Sequence, residues 1–104
     1  MSPTSPTPLP RLSDKEAVVL DLLSGQPGLY GLQLVAASRG RLKRGTVYVT
    51  LGRMEAKGYV VSRLDSETPE SGGLPRRLYE PTALGLRLQR AFAALAHALR
   101  PETA

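Results

Sequence analysis

Side chains capable of covalent or metal chemistry are scarce in this sequence, whereas cations are abundant and unevenly placed. There is no cysteine and only one histidine, His97. Thiol nucleophiles, disulfides, Cys-based zinc sites and any site needing two His ligands are therefore excluded together. No GxxxxGK[ST], HExxH or GxGxxG pattern occurs, and the carboxylates Asp65, Glu67 and Glu70 stand in a Gly- and Pro-rich stretch where water would screen them. These features argue against an enzyme and call for no metal and no cofactor. Between Arg39 and Lys57, by contrast, stand six basic residues (Arg39, Arg41, Lys43, Arg44, Arg53 and Lys57) and one acid, Glu55. That local +5 equals the net charge of the chain. With a pI near 10.1, the favoured partner is a polyanion such as nucleic acid.

The elements that must hold these cations can be read along the chain. At 104 residues there is room for one small core. Residues 1–10 hold four of the nine prolines among Ser and Thr and read as a disordered arm. One domain is expected over 11–81, a final helix over 82–100 and a tail over 101–104. Ser13 and Glu16 form an S-x-x-E capping box, with Leu12 and Ala17 at the staple positions, so a first helix starts there. Gly25 and the turn Gln26-Pro27-Gly28 end it. A short helix fits Gly31 to Ser38. A third runs from about Gly45 to Lys57, because Val47, Leu51 and Met54 recur at i, i+4 and i+7. Tyr59 to Leu64 and Arg76 to Glu80 read as two antiparallel strands, joined by a long hairpin tip through Pro69, Gly72, Gly73 and Pro75. Thr82 caps a last helix on which Leu84, Leu88, Ala91, Leu95 and Leu99 make one stripe, stopped by Pro101. The expected fold class is mainly α (α+β), in the order helix, helix, helix, strand, strand, helix.

This order places the basic turn directly before the third helix, whose dipole and free N–H groups also favour phosphate. On a helical wheel Val47, Leu51 and Met54 face inward, and Val49, Gly52, Arg53 and Ala56 face outward, with Thr46, Thr50 and Lys57 on one flank and Tyr48 on the other. The outward face is small and carries one charge, so its backbone could approach a major-groove floor, with Val49 available to a thymine methyl. A charge run usually does no more than solvate a turn; the helix-turn-helix setting favours nucleic acid here.

Several separated stretches, in order and at matching spacing, give the sequence a likeness to a known family. They are Tyr30-Gly31, the run GTVYVTLGRMEAKGYV from Gly45 to Val60, the segment Gly73 to Tyr79, and Pro81-Thr82-Ala83-Leu84-Gly85. Over about Leu12 to Phe92 the chain resembles the PadR-family transcriptional regulators. The resemblance implies a winged helix-turn-helix with the third helix in the major groove of double-stranded DNA. It puts Thr46, Tyr48 and Val49 at or near DNA and Arg76 and Arg77 at the wing base. It further implies a homodimer, mostly a repressor in this family, of the short type. Val49 stands where Pro is common in the family, Thr50 replaces an apolar residue, and Leu74 replaces a basic one. The hairpin from Arg63 to Glu80 carries three basic and four acidic residues, so its base rather than its tip is expected to approach phosphate.

The last helix carries more apolar surface than a small monomer needs. A symmetric interface is expected from it and the first helix, through Leu20, Leu23, Leu88, Phe92, Leu95 and Leu99. No apolar run approaches the ~20 residues of a membrane span, and the N-terminus does not read as a secretory signal, so a cytoplasmic protein without membrane contact is expected. A small-molecule effector stays open, although the absence of Trp and the presence of one Phe argue against a stacking drug pocket. The alternative function is a winged-helix protein-interaction module, an antirepressor or adaptor, acting without DNA.

Overall fold

The computed structural model describes residues 11–65 and 76–101. The expected N-terminal arm, the hairpin tip 66–75 with Glu67, Glu70 and Leu74, and residues 102–104 lie outside them. The elements in chain order are α1 (Asp14–Gly25), β1 (Leu29–Tyr30), α2 (Gly31–Ala37), α3 (Val47–Ala56), β2 (Val60–Leu64), β3 (Arg77–Pro81) and α4 (Ala83–Ala98). The expected helices and hairpin strands are all present within one or two residues of their expected ends. The capping box forms as the sequence spacing requires: Glu16 N–H donates to Ser13 Oγ at 3.1 Å, and Ser13 N–H donates to Glu16 Oε1 at 2.9 Å.

One strand was not expected. Leu29 and Tyr30 pair with Tyr79 and Leu78 on the edge of β3 opposite β2, which makes a three-stranded antiparallel sheet in the order β1-β3-β2. A two-residue strand has no alternation to read, and its partner lies about fifty positions away in the chain. Its effect is to put the start of α2 beside the wing base.

The core is formed by α1 with its neighbours. Val19, Leu23, Leu34, Leu42, Val47, Leu51, Met54 and Val60 are sealed from solvent, and α1 packs against α2, α3, α4 and β3. Of the six expected interface residues, Leu20, Leu23 and Leu88 belong to the chain's own core, with Leu20 also lining a groove between α1 and α4, whereas Phe92, Leu95 and Leu99 keep more exposed surface. Thr50 departs from the wheel, being buried rather than flanking. Its burial is tolerable because its hydroxyl donates to the Thr46 carbonyl at 3.3 Å.

The start of α4 is fixed by a compact set of contacts at the end of α3. Thr82 Oγ1 accepts from Gly85 N–H at 3.0 Å and donates to the Gly58 carbonyl at 2.6 Å, while Thr82 N–H donates to the Tyr59 carbonyl at 3.0 Å. Gly85 lies so close to that carbonyl that a Cβ would collide with its oxygen.

Tyr79, on the central strand, is a measurable reporter of this packing. Burial pushes its phenol above its ordinary value of 10.0, and the Glu55 carboxylate adds to the shift while Arg77 opposes it. The folded state therefore holds the neutral phenol where the unfolded chain ionises. The associated stability is intact below about pH 10 and is lost as pH rises beyond it. Tyr79→Phe is expected to flatten the alkaline fall of the unfolding free energy relative to wild type, read by denaturant titrations from neutral to alkaline pH. Parallel curves for the two proteins would refute this.

Candidate nucleic-acid interface

The basic turn is shaped by the one apolar residue inside it. Leu42 is 1% exposed, its N–H donates to Ser38 Oγ at 2.9 Å, and that hydroxyl donates to the Val35 carbonyl at 2.8 Å. With Leu42 drawn into the core, Arg39, Arg41, Lys43 and Arg44 on either side are left exposed. Arg39 adopts φ +55° and Gly40 φ +87°, a left-handed pair that turns the chain sharply. Glycine would fit the first position more easily. The turn then passes into α3 through bonds from Thr46 and Val47 N–H to the Lys43 carbonyl. Thr46 makes no side-chain capping bond and is exposed.

On α3 itself Val47, Thr50, Leu51 and Met54 are buried. Tyr48 and Val49 are 51% and 56% exposed, and Gly52, Arg53 and Ala56 are exposed with them. The helix therefore presents the expected face, small and apolar apart from Arg53, beside the four cations of the turn. Two sets of expected contact residues are already engaged within the fold. Lys57 Nζ stands 2.9 Å from Oε2 of the buried Glu16 and 5.6 Å from the centre of the Tyr59 ring. It ties the end of α3 to the start of α1, with its side chain 41% exposed. Arg77 Nη1 donates to Ser62 Oγ at 3.0 Å, which in turn donates to Glu55 at 2.7 Å, so β3 and β2 are bridged to α3.

Arg76 lies 4.9 Å from the centre of the Tyr30 ring. The Tyr30 hydroxyl donates to Asp65 at 2.6 Å, and Asp65 N–H donates to the Arg76 carbonyl at 2.6 Å. Asp65, expected to be a solvated loop carboxylate, thus closes the base of the hairpin onto the strand that precedes α2. Tyr30, Gly31, Tyr48, Arg76 and Arg77 line a cleft of about 250 Å³ between α2, α3 and the wing base. The roles of Glu16 and Ser62 were missed by sequence reasoning. Glu16 had a visible local role as a cap, and its burial depends on Lys57, 41 positions away.

On the far side of the chain, α1 and α4 enclose an open groove of about 240 Å³ lined by Leu12, Ala17, Leu20, Phe92, Ala93 and Ala96. Leu95 and Leu99 remain 53% and 72% exposed. Among the described residues no group of three or more His, Cys, Asp or Glu could hold a metal, and no helix is long and apolar enough to cross a membrane.

A helix-turn-helix whose second helix runs into a small antiparallel sheet carrying the wing base is a winged helix domain, of the class that regulates transcription. The chain belongs to the transcriptional regulator PadR-like family, whose family model matches residues 19–91. It is thereby a transcriptional regulator of a DNA-binding family and not an enzyme. It is similar to a PadR family transcription regulator from hypervirulent Clostridium difficile R20291, with 27% identity, 84% of this chain and 91% of that one covered, and a TM-score of 0.73. A PadR family transcriptional regulator from Eggerthella lenta DSM 2243 is 32% identical over 80% of this chain and 74% of its own, with a TM-score of 0.64. The MepR–DNA complex of S. aureus, 19% identical over 85% of this chain and 67% of that one with a TM-score of 0.68, shares the fold. No curated protein matches the chain in sequence.

Proposed function

We propose that this regulator binds double-stranded DNA sequence-specifically as a cytoplasmic homodimer and acts as a repressor, with α3 in the major groove. The observation that carries this reading is the turn pinned by Leu42. It leaves Arg39, Arg41, Lys43 and Arg44 exposed at the entrance to a helix whose outward surface is Val49, Gly52, Arg53 and Ala56. Cations of this kind neutralise phosphates without reading sequence, whereas side chains on the helix read base edges. The MepR–DNA complex supports the reading by showing that a protein of this fold docks on DNA. The wing-base residues Arg76 and Arg77 supply further positive charge beside Tyr48, and Thr46 lies at the start of the helix. Lys57 contributes by anchoring the end of α3.

The dimer in this reading uses Phe92, Leu95 and Leu99 with the groove between α1 and α4. Repression follows from the family resemblance and from the simplest consequence of occupying a promoter. The first test is binding to duplex DNA from the region upstream of the protein's own gene, against a scrambled duplex, over a range of salt. Selective binding, with a log–log salt slope of ~0.9 per phosphate contacted, is expected. Lys43→Ala is expected to weaken binding to all duplexes alike and to reduce the slope by about one phosphate. Val49→Ala should instead change the preference among sequences. A Lys43→Ala protein with altered selectivity and unaltered affinity would contradict this division of roles. Indifference to DNA even at low salt would leave the protein-interaction reading in its place.

A further inference from the structure

Gly31 opens α2, is buried, and is not among the glycines with positive φ. Its backbone would accept any residue, and helix propensity favours alanine over glycine there. What requires a glycine is the Tyr48 ring. A Cβ on Gly31 would stand 2.6 Å from Cε1, 2.7 Å from Cζ and 2.8 Å from the hydroxyl oxygen of Tyr48, closer than packed atoms approach. The tip of the phenol therefore rests on the bare backbone at the start of α2, although Tyr48 is rooted in the first turn of α3 and is half exposed. Held there, the ring lines the 250 Å³ cleft together with Arg76 and Arg77. The positive charge of Arg76 and Arg77, with Arg77 keeping its bond to Ser62, a hydroxyl and the ring surface suit a phosphodiester with its deoxyribose.

We propose that Gly31 is a positioning residue for DNA recognition: by having no side chain it seats Tyr48 as a wall of the cleft that receives the sugar–phosphate of one DNA strand. The proposal rests on the DNA-binding reading above and adds to it a residue that acts only through Tyr48. A substitution at Gly31 can move the ring because the atoms it meets are the far end of a side chain and not backbone. A purely structural glycine would harm folding whatever stood at position 48. A positioning glycine harms recognition only while the tyrosine is present.

The test is a double-mutant cycle with Gly31→Ala and Tyr48→Ala. The probe is the duplex that wild-type protein enriches most strongly from a randomised pool, and thermal unfolding is followed in parallel. Gly31→Ala is expected to weaken binding to that duplex by about tenfold and to weaken other duplexes alike, because a sugar–phosphate contact reads no base. In the Tyr48→Ala background the same change is expected to have less than about a twofold effect, with no loss of thermal stability. If Gly31→Ala alone does not fold, the double variant decides: it must bind as Tyr48→Ala does. Equal losses in both backgrounds, a double variant weaker than Tyr48→Ala, or wild-type binding by Gly31→Ala would each overturn the proposal while leaving the DNA reading intact. A wild-type protein that enriches no sequence and shows no salt-dependent binding would overturn the DNA reading, and the proposal with it.

Discussion

Replacing Gly85 with alanine is expected to destabilise the protein by about 3 kcal/mol, the upper range for overpacking. For a domain of this size that is a fall in Tm of roughly 12–24 °C. The added methyl would collide with the Tyr59 carbonyl oxygen, which already accepts the Thr82 N–H at 3.0 Å. Neither side can yield cheaply. Moving the carbonyl disturbs the junction where Gly58, at φ +78°, ends α3 and β2 begins. Moving α4 breaks the Thr82 bonds to the Gly58 and Tyr59 carbonyls and pulls Leu88 from the core. The contrast with Gly31 is instructive, because there the neighbour is the tip of a ring that can swing outward. Thermal unfolding followed by circular dichroism at one fixed protein concentration checks the effect, since dimerisation would make Tm concentration-dependent. A change below about 0.5 kcal/mol would show that α4 can slide away from the sheet without loss.

The second large effect is expected from Leu95→Asp combined with Leu99→Asp. Both side chains are more than half exposed, so the charges meet no core of their own chain and the fold is expected to persist. In the proposed dimer they would be buried against a second copy, where two unpaired carboxylates related by symmetry oppose association strongly. The variant is expected to be monomeric by sedimentation. Its affinity for a two-half-site duplex should fall by about 10²-fold or more, because the second half-site contact is no longer delivered at high effective concentration. A variant that remains dimeric would place the interface elsewhere. A monomer that binds as tightly as wild type would mean that a single copy suffices for DNA.

Local signals explain what could be read from the sequence. The Ser13–Glu16 box, the i, i+4, i+7 spacing of Val47, Leu51 and Met54, and the Thr82 cap all concern residues within two helical turns of one another, and all three helices start where those signals stand. The basic turn was equally legible, since charge is a property of the residue itself. Where the sequence misled, the deciding partner was distant. Lys57 is expected at DNA from its charge alone, and its ion pair with Glu16 joins residues 41 positions apart. Asp65 read as a water-screened carboxylate, although the Tyr30 hydroxyl donates to it. Leu20, Leu23 and Leu88 also serve the chain's own core, which the sequence did not separate, because an apolar stripe looks the same whether it meets its own core or a partner. Thr50 lay near the edge of the buried arc, and a hydroxyl that can bond back to its own helix is buried at little cost. The start of α2 was recognisable as part of a family motif, but the sequence held no sign that its glycine serves a tyrosine seventeen positions later.

The two ends of α3 are secured by different means. Tyr48 is seated on the backbone of α2 at one end, and Lys57, just past the other, is bound to a buried carboxylate of α1. A helix so preorganised has little conformational entropy left to surrender on docking, which favours affinity. It also has little freedom to adapt its position to an ill-fitting groove. In a complex the adjustment would fall to the duplex, through bending and changes of groove width. Preference should therefore extend to base pairs that no side chain touches, with flexible pyrimidine–purine steps favoured wherever the backbone must curve to reach the wing base.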